Sequence, residues 1–299
     1  MSKNTKICVL DNVMKLGLIL VLLISFSHAE LLKDFSYWDF QLTKTYIHNS
    51  EMQRRWAMAF IAPYLKKLNG NEYILDIGCG DGKITADISK FVPEGKVHGI
   101  DLSSSMITWA QKQYHPGEYP NLTFGIGSFL EPVLDQKYDV IVSFCALQHS
   151  GDQEKALYNL AQLLKPKGKL LILVPTRNNT AWNKARADTQ SKAKWAPFWE
   201  NVAPRKTLTV EQYAEFLQKA SFSDITVERV ITMDPFIDKH EIIEWLCGTF
   251  APQIPWNQRY EFYGEWIDEY INLDSNALQD DGVIYAKFGY ITLVAARVN

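Results

Sequence analysis

Short, almost wholly apolar runs alternate along the chain with stretches whose apolar residues recur every three or four positions. Tyr73-Ile74-Leu75-Asp76-Ile77 is such a run and leads into a glycine-rich turn. Val97-His98-Gly99-Ile100-Asp101, Leu122 to Ile126, Tyr138 to Ser143 and Leu170 to Val174 have the same character. Runs of this length predict strands buried on both faces, and so a parallel sheet covered by helices. The intervening pieces predict those helices: Lys83 to Phe91, Ser103-Ser104-Ser105 through Gln113, and Glu154 to Leu164, stopped by Pro166 and Gly168. Residues 35–68 also predict a helix. Ala57, Phe60, Ile61, Tyr64, Leu65 and Leu68 share one face, and Asn69-Gly70-Asn71 ends it.

After Pro175 the pattern changes. Residues 176–206, rich in Trp, Lys and Asn, predict a loop and helix insertion. Val210 to Ala220 predicts a helix, Ile225 to Ile231 a strand, residues 238–275 an aromatic-rich helical stretch, and Phe288 to Val298 a last strand. The expected fold is α/β: a doubly wound, mostly parallel seven-stranded sheet with a helical cover inserted late in the chain. The expected organisation is an N-terminal helical segment (30–68), a ligand-binding core (69–175) and a cover with the last strands (176–299) in the same domain.

One block stands outside this alternation. Lys15 precedes an apolar run from Leu16 to Ile24, then Ser27-His28-Ala29. The run is too short for the roughly 20 residues that span a bilayer. Basic residues, a short apolar core and a small-x-small end are the layout of a secretory signal peptide over 1–29, with Met1 or Met14 as the start. That predicts a secreted or periplasmic protein with no stable membrane span after cleavage. An uncleaved signal anchor or a cytoplasmic chain are the alternatives.

Composition narrows the picture without choosing a function. The chain has 299 residues, 47% apolar and 22% charged, with a net charge of −3. Such a mild acidic balance argues against a nucleic-acid partner, which needs clustered Lys and Arg. Four scattered cysteines lack the spacing of a disulfide framework or of a metal site, so no metal is expected.

The most specific chemistry lies in Asp76-Ile77-Gly78-Cys79-Gly80-Asp81-Gly82. A dinucleotide fingerprint needs G-x-G-x-x-G, which would put its third glycine at Lys83. Its absence points to a ligand without a pyrophosphate. Glycines 78 and 80 let the backbone approach a ligand at positive φ. Asp76 could accept from a cationic amine. Asp101, at the end of the next strand, could hold two ribose hydroxyls.

The stretches LDIGCGDG (75–82), GIDLSSSMI (99–107), KYDVIVSFCALQ (137–148) and LLKPKGKLLILV (163–174) together resemble the class I S-adenosylmethionine-dependent methyltransferases. The resemblance implies the Rossmann-like methyltransferase fold and S-adenosylmethionine as cofactor. It implies that Gly78, Cys79, Gly80 and Gly82 surround the methionine part, with Asp76 beside it. Asp101 would hold the ribose and Leu102 would lie against adenine. Ser128 and Phe129 fall where the family has an Asp and an apolar residue beside adenine. Cys145 would line the methyl end.

Tyr46 through Arg55 and Lys194 to Pro197 resemble juvenile hormone acid methyltransferases. Ile242 to Trp245 and the block from Gly282 to Arg297 resemble trans-aconitate methyltransferases. Both groups methylate a carboxylate on a small molecule. The resemblance implies a small-molecule O-methyltransferase, directed most at a carboxylic acid, with Gln53 orienting the substrate and Tyr46 near it. His149 stands where both groups have Trp, and is the candidate hydrogen-bond donor or base. The aromatic residues after 176, Trp182 and Trp195 among them, could line an apolar substrate pocket or form core. RNA or protein methylation, and a non-catalytic cofactor-binding module, remain open as alternatives.

Overall fold

The apolar runs pair into a single sheet. The computed structural model describes residues 40–132, 135–176, 180–200, 202, 208–249 and 253–298. Its strands are β1 (Tyr73–Ile77), β2 (Lys96–Asp101), β3 (Leu122–Ile126), β4 (Tyr138–Phe144), β5 (Leu164–Thr176), β6 (Phe222–Phe236) and β7 (Ile284–Arg297). Their order is β3-β2-β1-β4-β5-β7-β6. The first five are parallel, and β7 runs antiparallel to both β5 and β6. The order reverses between β1 and β4, so a crevice opens beyond their C-terminal ends, where such sheets bind ligands. The seven-stranded, mostly parallel sheet agrees with the expectation from sequence.

Helices cover both faces. They are α1 (Phe40–Asn49), α2 (Glu51–Leu65), α3 (Lys83–Ser89), α4 (Ser104–Gln113), α5 (Gln153–Leu163), α6 (Ala181–Ser191), α7 (Val210–Lys219), α8 (Lys239–Thr249) and α9 (Trp256–Leu273). On one face α5 and α7 bury Leu157, Leu160, Tyr213 and Leu217 against Leu170, Ile172, Ile291 and Leu293. On the other, α2, α6, α8 and α9 enclose a core built of aromatic rings. Trp182 lies 4.8 Å from Trp266 and 5.1 Å from Phe288, centroid to centroid.

Several boundaries differ from the sequence pattern. Within the expected helix over 35–68, the described residues form two helices broken at Ser50, whose hydroxyl bonds to Asp81 instead of capping α2. The stretch 238–275 is also two helices, the second beginning after Pro255, which has extended backbone. β5 starts at Leu164, directly after α5. Lys167 (φ 63°) and a register shift opposite Tyr138 and Val140 bring the strand into line. β6 is longer than expected because its alternating positions face the core and solvent in turn, a pattern weaker than a continuous apolar run.

The signal-peptide segment and its localisation reading lie outside the described residues. No helix among the described residues is long and apolar enough to cross a membrane.

Candidate active site

The ends of β1, β2 and β4 meet around Gly78-Cys79-Gly80-Asp81-Gly82. Gly78, Gly80 and Gly82 have φ of 78°, 54° and 78°. A Cβ at Gly78 would stand 2.2 Å from Ala146 Cβ, and one at Gly82 would stand 2.7 Å from the Phe124 ring. Glycine is needed here for both conformation and space. The Gly78 and Cys79 amides donate to Ile100 O at 2.8 and 3.0 Å, binding the loop to β2.

Three carboxylates gather at this loop. Asp101 accepts from the Gly80 amide and the Ser103 amide, both at 2.9 Å. Burial pushes its carboxyl up, and these amides pull it back. Asp76 is 1% exposed. Its Oδ2 accepts from Thr85 Oγ1 at 2.7 Å, while its Oδ1 is buried with no partner. Burial, reinforced by Asp101 and Asp81 and opposed by Thr85, pushes Asp76 up to about 7. Asp81 is also buried and raised by desolvation. The Ser50 hydroxyl, at 2.7 Å, and Lys83 oppose that shift. A buried pocket with this much carboxylate and one unsatisfied oxygen suits a cation.

The two N-terminal helices close the pocket. The Tyr46 ring of α1 lies 3.6 Å from where a Gly80 Cβ would stand. Burial, with Asp81, Cys145, Asp101 and Asp76 nearby, holds its phenol protonated. Lys83 Nζ donates to Ser50 Oγ at 2.9 Å and to Ile47 O at 3.4 Å. Arg54 Nε donates to Asp87 Oδ2 at 2.5 Å, joining α2 to α3. Tyr46, Ser50, Arg54, Asp76, Gly78 and Phe144 are among the residues lining the cavity.

The other cofactor candidates lie at the rim of the same crevice or inside it. Leu102 is 41% exposed. Phe129 is buried, its ring 3.8 Å from the position of a Gly78 Cβ. Ser128 Oγ accepts from the Glu131 amide at 3.0 Å and closes its own turn. Cys145 leaves β4 in the left-handed region at φ 55°, and burial pushes its thiol up to about 12, so it is no thiolate. Cys79 Sγ sits 3.1 Å from where a Gly99 Cβ would be, a space-filling contact.

Gln53 is buried on α2, and its Oε1 accepts from Trp245 Nε1 at 3.2 Å. His149 ends a short 3₁₀ turn (Leu147–His149) and its side chain is exposed. Trp182 and Trp195 are not among the residues of the glycine-loop cavity. Trp182 packs on Trp266 and Tyr270, and Trp195 on Phe262, all inside the cover. The sequence reading passed over Ser50, Asp81, Lys83, Arg54 and Phe144. Asp81 was visible within the glycine loop. Ser50 and Arg54 depend on contacts with residues more than thirty positions away.

Residues 68–221 match a family model described as Methyltransferase domain, which covers just over half of the chain. A trans-aconitate 2-methyltransferase from Deinococcus radiodurans is 29% identical over 75% of this chain and 86% of its own. A juvenile hormone acid O-methyltransferase from Bombyx mori is 23% identical over 76% of this chain and 84% of its own. A protein of Invertebrate iridescent virus 6 is 32% identical, and this chain spans 61% of its length. Among solved structures, a phosphoethanolamine N-methyltransferase 2 from Haemonchus contortus, in complex with phosphomonomethylethanolamine and S-adenosylhomocysteine, superposes with a TM-score of 0.55. It is 19% identical over 82% of this chain and 53% of that one, a likeness of fold.

Proposed function

This chain belongs to the methyltransferase domain family, and from that premise we propose that it transfers a methyl group from S-adenosylmethionine to the carboxylate of a small molecule. The observation that carries the proposal is the pairing of a carboxylate-rich glycine loop with a buried neutral amide, Gln53, on the helix that closes it.

The loop fits S-adenosylmethionine. The unpartnered Asp76 Oδ1 matches the ammonium of its methionine part, and ionised Asp76 is the form that would bind it. Each Asp101 oxygen holds one backbone amide and keeps lone pairs for ribose hydroxyls. Phe129 and Leu102 offer apolar surface to the base. When bound, S-adenosylmethionine supplies a methyl on a positively charged sulfur, which an acceptor oxygen takes by in-line displacement while sulfur keeps the electron pair.

The chain's own part is to align the acceptor and keep water away. A carboxylate, with a reference pKa near 4, arrives ionised and needs no base. His149, exposed on its turn, would be the candidate base for a hydroxyl acceptor. The carboxylates around the loop weigh against a phosphate-rich RNA acceptor.

Incubation with methyl-labelled S-adenosylmethionine and a panel of carboxylic acids tests the proposal. Trans-aconitate, a terpenoid acid and decanoate span the range from polar to apolar. Label transferred to an acid supports it. Cofactor bound without transfer to any acid, or transfer to RNA or protein alone, contradicts it.

A further inference from the structure

The glycine-loop cavity has to hold a zwitterion. The methionine part of S-adenosylmethionine carries an ammonium and a carboxylate on one carbon, so a partner for each must border the same space. Asp76 answers the ammonium. The carboxylate meets a site already rich in negative charge, since Asp76 and Asp81 line the cavity and Asp101 holds the Gly80 amide beside it. A further anion is stable there only against a cation.

Two of the residues that line the cavity are basic, Lys83 and Arg54. The lysine is already engaged. Its Nζ donates to Ser50 Oγ at 2.9 Å and to Ile47 O at 3.4 Å, and lies 3.8 Å from Asp81 Oδ2. Those three neighbours match its three protons. The arginine has capacity left. Its Nε donates to Asp87 Oδ2 at 2.5 Å and its Nη1 to Glu51 Oε1 at 2.8 Å, while its Nη2 makes no hydrogen bond among the described residues. Carboxylates from α3 and α2 thus fix the guanidinium plane and leave one nitrogen open. Lys90 shares Asp87, and Glu51 is more than half exposed, so this cluster is balanced and Arg54 can still attract an anion. The Arg54 side chain is 37% exposed, within reach of a ligand entering the crevice.

We infer that Arg54 is a cofactor-binding residue whose Nη2 group receives the carboxylate of the methionine part, while Asp76 takes the ammonium. The two contacts read the amino acid as a zwitterion, and the site rejects nucleoside thioethers that lack either charge. Asp87 and Glu51 hold the guanidinium ready. This inference rests on S-adenosylmethionine as the ligand of the site and is independent of which acceptor takes the methyl.

Isothermal titration of the purified full-length protein tests it, with S-adenosylhomocysteine and its decarboxylated form, which keeps the adenosine, the sulfur and the amine. Wild-type protein should bind the decarboxylated form about ten- to a hundredfold more weakly, the worth of a charge-assisted hydrogen bond. In Arg54→Gln, S-adenosylhomocysteine should weaken by that factor while the decarboxylated form changes less than about threefold, so the gap between the ligands closes. Arg54→Lys can keep the pair with Asp87 that joins α2 to α3, and should close part of the gap, because it retains the charge without the fork. Equal loss of both ligands in the variants would overturn the inference and mark Arg54 as a tie between helices. So would an unchanged gap in Arg54→Gln, or equal binding of both ligands by wild-type protein. If wild-type protein binds neither, the cofactor reading fails first, and this inference with it.

Discussion

The glycine loop and the aromatic cover solve opposite problems. The loop is held in left-handed backbone at three glycines, with three desolvated carboxylates and one buried oxygen left unpartnered. The cover is a set of interlocked rings, among them Trp182, Trp195, Phe262 and Trp266, all nearly inaccessible. The first region keeps unfavourable conformation and charge that only a ligand could use. The second spends its aromatic surface on stability. An abundance of aromatic residues near a site therefore does not itself mark a pocket.

The largest expected effects separate the two regions by readout. Trp266→Ala should destabilise the fold by about 3–5 kcal/mol, since it empties a fully buried ring site. Chemical denaturation would measure that, and the surviving folded fraction should bind S-adenosylhomocysteine with wild-type affinity. Gly78→Ala should cost about 2–5 kcal/mol, from left-handed strain and the clash with Ala146. Here calorimetry should also show cofactor binding lost. If Trp266→Ala weakened binding as much as Gly78→Ala, the division would break down.

Asp76 sharpens the contrast through pH. Its folded pKa of about 7 stands above its ordinary value of 3.8. Its contribution to stability is thus present below pH 4 and is lost as pH rises toward 7, because ionising the buried group becomes a penalty. Cofactor binding should move the other way, strengthening as pH climbs from about 5.5 to 7.5 and then levelling off. In Asp76→Asn the pH dependence of binding should flatten, with affinity about ten- to a hundredfold weaker at pH 8. Isothermal titration across pH would show a persistent slope in that variant if Asp76 were not the group responsible. The smallest effect belongs to the join between regions. Ser50→Ala removes the hydroxyl shared by Asp81 and Lys83, and should cost about 1 kcal/mol in thermal unfolding.

Much of this architecture was legible in local sequence. β1 and β3 fall where the apolar runs place them, because buried parallel strands leave continuous apolar stretches. The glycine loop was legible because its function is encoded in backbone conformation, which only glycine permits. The break at Ser50 was not, because it depends on Asp81 across the fold. The long β6 was missed because half its positions face solvent. Trp182 and Trp195 read as substrate candidates because composition cannot distinguish a ring that lines a space from one that fills it. The partnership of Gln53 with Trp245 links distant positions and has no local signature at all.

The central claim is tested most directly by mass spectrometry of the product. The purified protein, S-adenosylmethionine and an apolar carboxylic acid should yield the acid with one added methyl group, released by mild alkali as esters are. An unmodified acid in the presence of demonstrated cofactor binding, or a methyl group that resists alkali, would contradict it.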